Sequence, residues 1–331
     1  MRPRVIITIL AALLVSPALT ISAASPALAA ESLPAFTTTT AAANPLVGKV
    51  WLPPSNEFIA VDELVRRAQA ADAVLLGETH DNPDHHVLQA WMLRRVLESG
   101  KRPLVAFEMF DSSQQERLDK YLTENPLDAA GLGPAVAWEK TGWPAWSNYR
   151  PIAEAALLGG STLATANLAK ADLRRIAKGD IPETLSQLGL DTPLAPAVQQ
   201  AMEQEIAAGH CGMLPTPLVP GMVQVQRARD AIMARAVADG LVARGSAVLI
   251  AGAGHTRSDR GVPAQLAAIA PAKRSLAIAF LEVREDKADP ATYGELFDTN
   301  SVPFDAVWFT PRAEREDQCE GLKKHLEKKA G

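Results

Sequence analysis

The chain has 331 residues, 33 Lys and Arg against 38 Asp and Glu, and a formal charge of −5, which argues against nucleic acid or an anionic membrane surface as its main partner. An apolar share of 47% with 5% aromatics is ordinary globular composition and excludes a fibrous or disordered chain. This length suits one large α/β domain, or such a domain with a helical insert.

Residues 1–29 read as an export signal. Arg2 and Arg4 supply a positive start, residues 5–14 an apolar run, and Ala27-Leu28-Ala29 a small-residue cleavage pattern before Ala30. The run is too short and wrongly flanked for a membrane helix. No cysteine lies near the cleavage point, so a lipoprotein is not evident, and a periplasmic or secreted location is expected. Cleavage removes two arginines and takes the charge from −5 to −7. Residues 30–44, rich in Thr and Ala, are expected to form a disordered lead-in.

Regular patterning begins at Val61, with a helix over 61–70, a buried strand over 74–76 and a helix over 84–98 that has Pro83 at its start and Gly100 after its end. A second strand covers 104–107. Asp111, Ser112 and Ser113 offer caps for the next helix, with Gln115 as capping-box partner of Ser112. A third strand precedes Asn167, and a mostly helical stretch over 169–244, broken at 189–196 and 209–221, is longer than a crossover needs. Part of it reads as an insert or cap. A fourth strand over 247–250 and apolar runs over 276–283 and 306–309 complete the sheet, and 313–331 is a C-terminal tail. The expected fold is α/β, a central mostly parallel sheet flanked by helices, with the domain spanning 45–312. Cys211 and Cys319 make one disulfide conceivable in an exported protein, though sequence cannot bring their Cα atoms within range.

Four strands end on polar groups: Gly77-Glu78-Thr79-His80, Glu108, Asn167 and Gly252-Ala253-Gly254-His255. Ligands of open α/β sheets gather outside the carboxyl ends of strands, so these residues are expected to share one crevice. Imidazole and carboxylate suit Zn, Fe, Mn or Co, and the two Gly-x-x-His strand exits with Glu108 at a third point to a shared ligand or metal site. Loop hydrogen bonding is the plainer use of either histidine. Of the adjacent His85 and His86, only one can face the crevice, because neighbouring helical residues diverge by about 100°. Gln226, Arg229, Asp230 and Met233 fall on one side of a helix and either face the crevice or pair in water. His210, in a loop shaped by Gly and Pro, suits an axial haem ligand or is a solvated loop residue. Tyr149 and Arg150 stand beside Trp143 and Trp146, as a wall with a cation for a carboxylate or as a packing patch. Neither a Gly-x-Ser-x-Gly elbow, a phosphate loop nor a His-Glu-x-x-His helix is present.

Leu-Leu-Gly-Glu-Thr-His (75–80), Phe-Glu-Met-Phe (107–110), Trp-x-x-Tyr-Arg-Pro (146–151), His-Cys-Gly-Met-Leu-Pro (210–215), Gln-x-x-Arg-Asp-x-x-Met-Ala (226–234) and Gly-Ala-Gly-His-x-Arg-x-Asp-x-Gly-Val-Pro (252–263) together resemble the ChaN-type haem-binding uptake proteins of the Tiki/TraB and erythromycin-esterase-like superfamily. The resemblance covers roughly residues 45–285 and implies haem acquisition, with haem as cofactor at a strand-end crevice or a homodimer interface and with uptake receptors or transporter components as further partners. It implies iron ligation by tyrosine and histidine, mapped onto Tyr149 and His210, with Arg150 and His85 beside the haem. The Tiki-like relatives imply the rival, a metal-dependent peptidase or esterase with His80, Glu108 and His255 as ligands of a divalent Mn, Co or Zn ion and Glu78 as base. The resemblance leaves enzyme activity open, with haem binding the favoured reading.

Overall fold

Ten of the sixteen residues of the helix Pro83–Glu98 are buried, Leu88, Trp91, Met92 and Val96 among them, while neighbouring strands alternate between two faces. A computed structural model describes residues 32–330. The export signal expected over 1–29 lies outside the described residues. Eight strands follow in chain order: β1 (Val50–Leu52), β2 (Glu57–Ile59), β3 (Ala73–Glu78), β4 (Leu104–Asp111), β5 (Thr162–Asn167), β6 (Ala247–Gly252), β7 (Ser275–Glu282) and β8 (Ala306–Thr310). They form one sheet in the order β2-β1-β8-β7-β3-β6-β4-β5. Strands β3 to β8 pair in parallel, and β1 runs antiparallel to both β2 and β8.

The period of two along each strand divides the core. Val74 and Leu76 of β3, Val105 and Phe107 of β4, and Val248 and Ile250 of β6 face one layer. Ala73, Leu75, Ala106, Leu249 and Ala251 face the other. The first layer is covered by α1 (Val61–Ala70), α2 (Pro83–Glu98) and, after α3 (Gln115–Glu124) and α4 (Ala129–Ala135), by α5 (Trp146–Leu158). Then come α6 (Lys170–Ile176), α7 (Glu183–Ser186), α8 (Pro196–Gly209) and α9 (Val219–Arg244). Met233, Val237 and Leu241 of α9 pack on the small residues of the second layer, so α9 is the crossover from β5 to β6. The remainder of the stretch expected as an insert, α6 to α8, encloses its own small core of Ile176, Leu185 and Leu190 against Val225 and Ala228 of α9. Helices α10 (Ala253–Thr256), α11 (Val262–Ile269) and α12 (Gln318–Ala330) complete the chain.

Chain order produces a switch point at β3. From β3 the chain passes over the β6 position to β4, returns later to insert β6 between them, and then places β7 on β3's other side. Register sets Glu78 beside Gly252 and Phe107 beside Ile250, which aligns the carboxyl ends of β3, β4 and β6 on one rim. A crevice forms there because successive connections leave in different directions.

Three expectations change. The lead-in is bound to the domain: the Thr37 and Thr38 backbone amides donate to Asp84 at 2.8 and 3.0 Å, and Asn44 donates to the carbonyls of Arg284 and Lys287. Its threonines are used as hydrogen-bond donors to a buried carboxylate, which composition does not reveal. The cap of the turn before α3 is Asp111 with Gln114, one residue earlier than expected at both ends. Strands β1 and β2, three residues each, were too short to carry a periodic signal.

Candidate functional site

Two glycines build the crevice. A Cβ on Gly77 would lie 2.2 Å from Thr256 Oγ1, so its absence lets α10 close down on β3. At Gly252 a Cβ would sit 2.9 Å from His80 Nε2, so the second Gly-x-x-His gives room to the imidazole of the first.

The strand ends then converge as expected. His80 donates from Nδ1 to Glu78 Oε1 at 2.8 Å, and the Tyr149 hydroxyl donates to the same oxygen at 2.7 Å. His86 Nδ1 lies 3.1 Å from Glu78 Oε2, while its Nε2 donates to the His80 carbonyl at 2.9 Å. Glu108 is held by three groups, Arg229 at 2.5 Å and His255 Nε2 at 3.4 Å on Oε1 and the Gly252 amide at 2.7 Å on Oε2, with His80 Nε2 farther off, 4.0 Å from Oε1. His255 gives its other nitrogen to Asp230 at 2.6 Å. Asn167 completes the frame, donating to the Glu108 carbonyl and accepting from Arg229 Nε. The polar side of α9 therefore faces the crevice, and Arg229 and Asp230 are the partners that orient Glu108 and His255.

Charge explains why such a buried cluster is tolerated. Burial raises the Glu78 pKa, but the charge of His86 and the bond from His80 outweigh it and hold the carboxyl at about 2. At Glu108 burial is likewise overcome by His255, His80 and Arg229, leaving it well below the usual carboxylate range. Burial would discharge His255, yet Glu108 and Asp230 raise it to about 9. His80 and His86 are raised against burial by Glu108 and Glu78 respectively. Three carboxylates are thus balanced by a guanidinium and imidazolium groups in hydrogen-bond contact.

This pairing corrects the metal reading. His80, Glu108 and His255 do meet, but Glu108 is taken up by Arg229, His255 and the Gly252 amide, and His255 gives its other nitrogen to Asp230. A guanidinium 2.5 Å from Glu108 stands where a cation would be coordinated. Among the described residues, no group of three or more His, Cys, Asp or Glu is arranged to hold a metal ion. Glu78, nominated as a base, is buried and held at a low pKa by the imidazoles around it, so it is a poor proton acceptor at neutral pH.

The haem-side candidates separate. Tyr149 has no exposed surface, and burial with the Glu78 charge raises its pKa strongly, so it does not present a phenolate. It packs with Trp138, which meets Trp146 and Phe110, and the aromatic segment is mainly core. Trp143 alone reaches the crevice, edge-on to His80 at 4.8 Å. Arg150, next on the helix, is exposed, unlike the buried Tyr149. His85 is fully buried: Nδ1 accepts from the Thr79 amide at 2.8 Å and Nε2 donates to Thr310 Oγ1 at 2.8 Å. Burial holds it at about 3, hence neutral, with both ring nitrogens taken up by Thr79 and Thr310. Its neighbour His86 is the one turned to Glu78.

His210 differs from all of these. It caps the C-terminus of α8, half-buried, with Nδ1 2.7 Å from the Ile206 carbonyl. A carbonyl only accepts, so Nδ1 carries the proton and Nε2 of the neutral ring keeps its lone pair. It borders a cavity of about 240 Å3 lined also by Met202, Ile206, Gln226, Asp230 and Arg260. Gly254 is shared with a second cavity of about 390 Å3 that reaches Glu78 and His80.

The profile of a family described as haem-binding uptake, Tiki superfamily, ChaN matches residues 64–266. The chain belongs to this ChaN family. Among solved structures, a ChaN of Campylobacter jejuni, described with cofacial haem binding, is similar with 22% identity and a TM-score of 0.62, over 78% of this chain and 95% of that one. That likeness shows a shared α/β fold. The type III effector HopBA1 (16% identity, TM-score 0.42, 76% and 93% covered) and a mutant erythromycin esterase EreC (15%, 0.41, 78% and 95%) are more distant in shape. Comparison with curated protein sequences finds no match. The ChaN profile spans the strand-end cluster, α5, α8 and α9 together, so in this family member the cluster and the His210 loop fall inside the matched region.

Proposed function

We propose that this ChaN-family protein is exported and binds haem as part of iron acquisition, with His210 as its iron ligand. The observation that carries the reading is the unpartnered Nε2 of His210 beside an open cavity, with the ring held from behind by a carbonyl, the arrangement that orients and strengthens imidazole ligands. The lining fits a haem edge: Met202 and Ile206 offer apolar surface, and Arg260 offers a cation for a propionate, at present paired with Glu205. Haem would supply iron with a coordination position for that nitrogen. The chain's part is to orient His210 and to cover one edge.

At about 240 Å3 the cavity is below the roughly 300–1,000 Å3 that encloses a drug-sized ligand, which supports a haem covered from its other side by a second copy. The test is an absorption titration of the protein from residue 30 onward with haem, run beside mass determination of the complex. A Soret band that shifts in His210→Ala, with a mass corresponding to two chains, is expected. Absence of any band overturns the haem reading, and an unchanged band in the variant overturns the ligand.

A further inference from the structure

Helix α12 has little to hold it. Upstream, Arg315 anchors the chain to Glu282 and Asp81, and Asp317 caps the helix by accepting from the Cys319 amide at 2.7 Å. From there on, among the described residues, the disulfide between Cys211 and Cys319 is the one bond from α12 to the rest of the domain. The residues around Cys319 are exposed. Gln318 nevertheless lines the cavity of about 390 Å3 that holds His80, so the start of the helix lies at that mouth, between the Arg315 anchor and the sulfur bridge.

The other end of the bridge is next to His210. Cys211 takes a left-handed backbone conformation at φ 55°, followed by Gly212 at φ 66°. Their amides return to the carbonyls of Ala208 and Ala207 at 2.8 Å each, closing the end of α8. A side chain other than glycine is held in that region at a cost, and the crosslink is what ties this turn to a second element. His210 takes its direction from the same turn.

We infer that Cys211–Cys319 is a thiol–disulfide exchange site for an external dithiol, and that its opening releases both α12 and the His210 turn. This rests on the haem reading above only for its consequence. A thiolate of the dithiol attacks Sγ of Cys319, the more exposed of the two residues; the bridge breaks and Cys211 leaves as a thiolate that takes up a proton. The second thiol of the reagent then attacks the mixed disulfide. Cys319 departs as a thiol, the reagent becomes its own disulfide, and two electrons have passed to the protein. With the bridge open, α12 no longer borders the His80 cavity and the residue next to the iron ligand is free to leave its left-handed conformation.

The native protein is treated with dithiothreitol, capped with iodoacetamide without denaturant and weighed; two caps per chain are expected, and a bridge that reacts only after unfolding overturns the proposal. Amide hydrogen exchange is then compared before and after. Faster exchange at residues 210–214 and 318–322 with the remaining sheet unchanged is expected, and no change there overturns it. Finally haem is loaded onto the oxidised protein, the capped protein and the Cys211→Ala, Cys319→Ala double variant, and its transfer to apomyoglobin is timed. Transfer about tenfold faster from the two open forms is expected, the low end of what losing support behind a metal ligand costs. Equal rates overturn the regulatory consequence. If no form takes up haem, the haem reading fails while the capping and exchange results still decide the exchange site.

Discussion

The strand-end cluster and the His210 turn both present imidazoles, and they leave opposite things undone. In the cluster, His80 and His255 each spend a nitrogen on a carboxylate, and Glu108 is gripped by an arginine, a histidine and a backbone amide. At the turn, His210 spends one nitrogen on a carbonyl and keeps the other. Convergence of ligand-type residues is therefore not the same as capacity to bind. A buried set of charges paired mostly within itself maintains the shape of the rim, while binding capacity belongs to a donor left over at its edge.

The largest expected effect is in the cluster. Glu108→Ala strands Arg229 and His255 without their shared carboxylate and should cost about 3–5 kcal/mol, as removal of one partner of a buried ion pair does. Denaturant unfolding measures it. A loss below about 1 kcal/mol would mean that the cluster is solvated and the contrast with His210 is false.

Acid and base should break the cluster from two sides. His255 is raised from 6.5 to about 9, so its contribution is complete below 6.5 and is lost as pH climbs through 9. Glu78 is lowered from 4.5 to about 2, so its contribution is complete above 4.5 and is lost as pH falls toward 2. Thermal melts should show a plateau between 4.5 and 6.5 with losses on both sides. A midpoint still rising as pH passes 9 contradicts the assignment of His255.

Next in size is Tyr149→Phe, which removes one donor from a buried carboxylate and should cost about 1.5–3 kcal/mol. Its haem spectrum should equal that of the unaltered protein, because the ring has no exposed surface. A changed Soret band would return Tyr149 to the iron.

Much of this contrast was legible in the chain and part was not. The strands, their polar ends and the two Gly-x-x-His elements are local patterns, and the rule that ligands gather at carboxyl ends assembles them correctly. The side of α9 bearing Gln226, Arg229 and Asp230 was visible as a stripe, but only the crossover's packing turns it toward Glu108. His85 and His86 were beyond reach for a simple reason: adjacent residues on a helix face directions about 100° apart, and rotating α2 by that angle exchanges the two roles. Tyr149 looked like a ligand because the family resemblance implies ligation by tyrosine and histidine, yet its neighbours Trp138 and Trp146 pull the segment into the core. The metal triad failed through Arg229, a residue 121 positions from Glu108 in sequence.

The smallest stability effect is expected where the functional effect is greatest. His210→Ala removes one half-exposed hydrogen bond at the end of α8, worth about 0.5–1.5 kcal/mol, and opens no core cavity. Its pH–stability profile should keep the plateau of the unaltered protein, because His210 is no part of the charge balance around Glu78 and Glu108. Haem uptake, in contrast, should weaken by about tenfold or more, since the nitrogen lost is the one no protein group uses. A His210→Ala protein that melts like Glu108→Ala and binds haem normally would invert the two regions: the turn would be scaffold, and the iron would have to be sought at His80, the one cluster imidazole with a partly exposed ring.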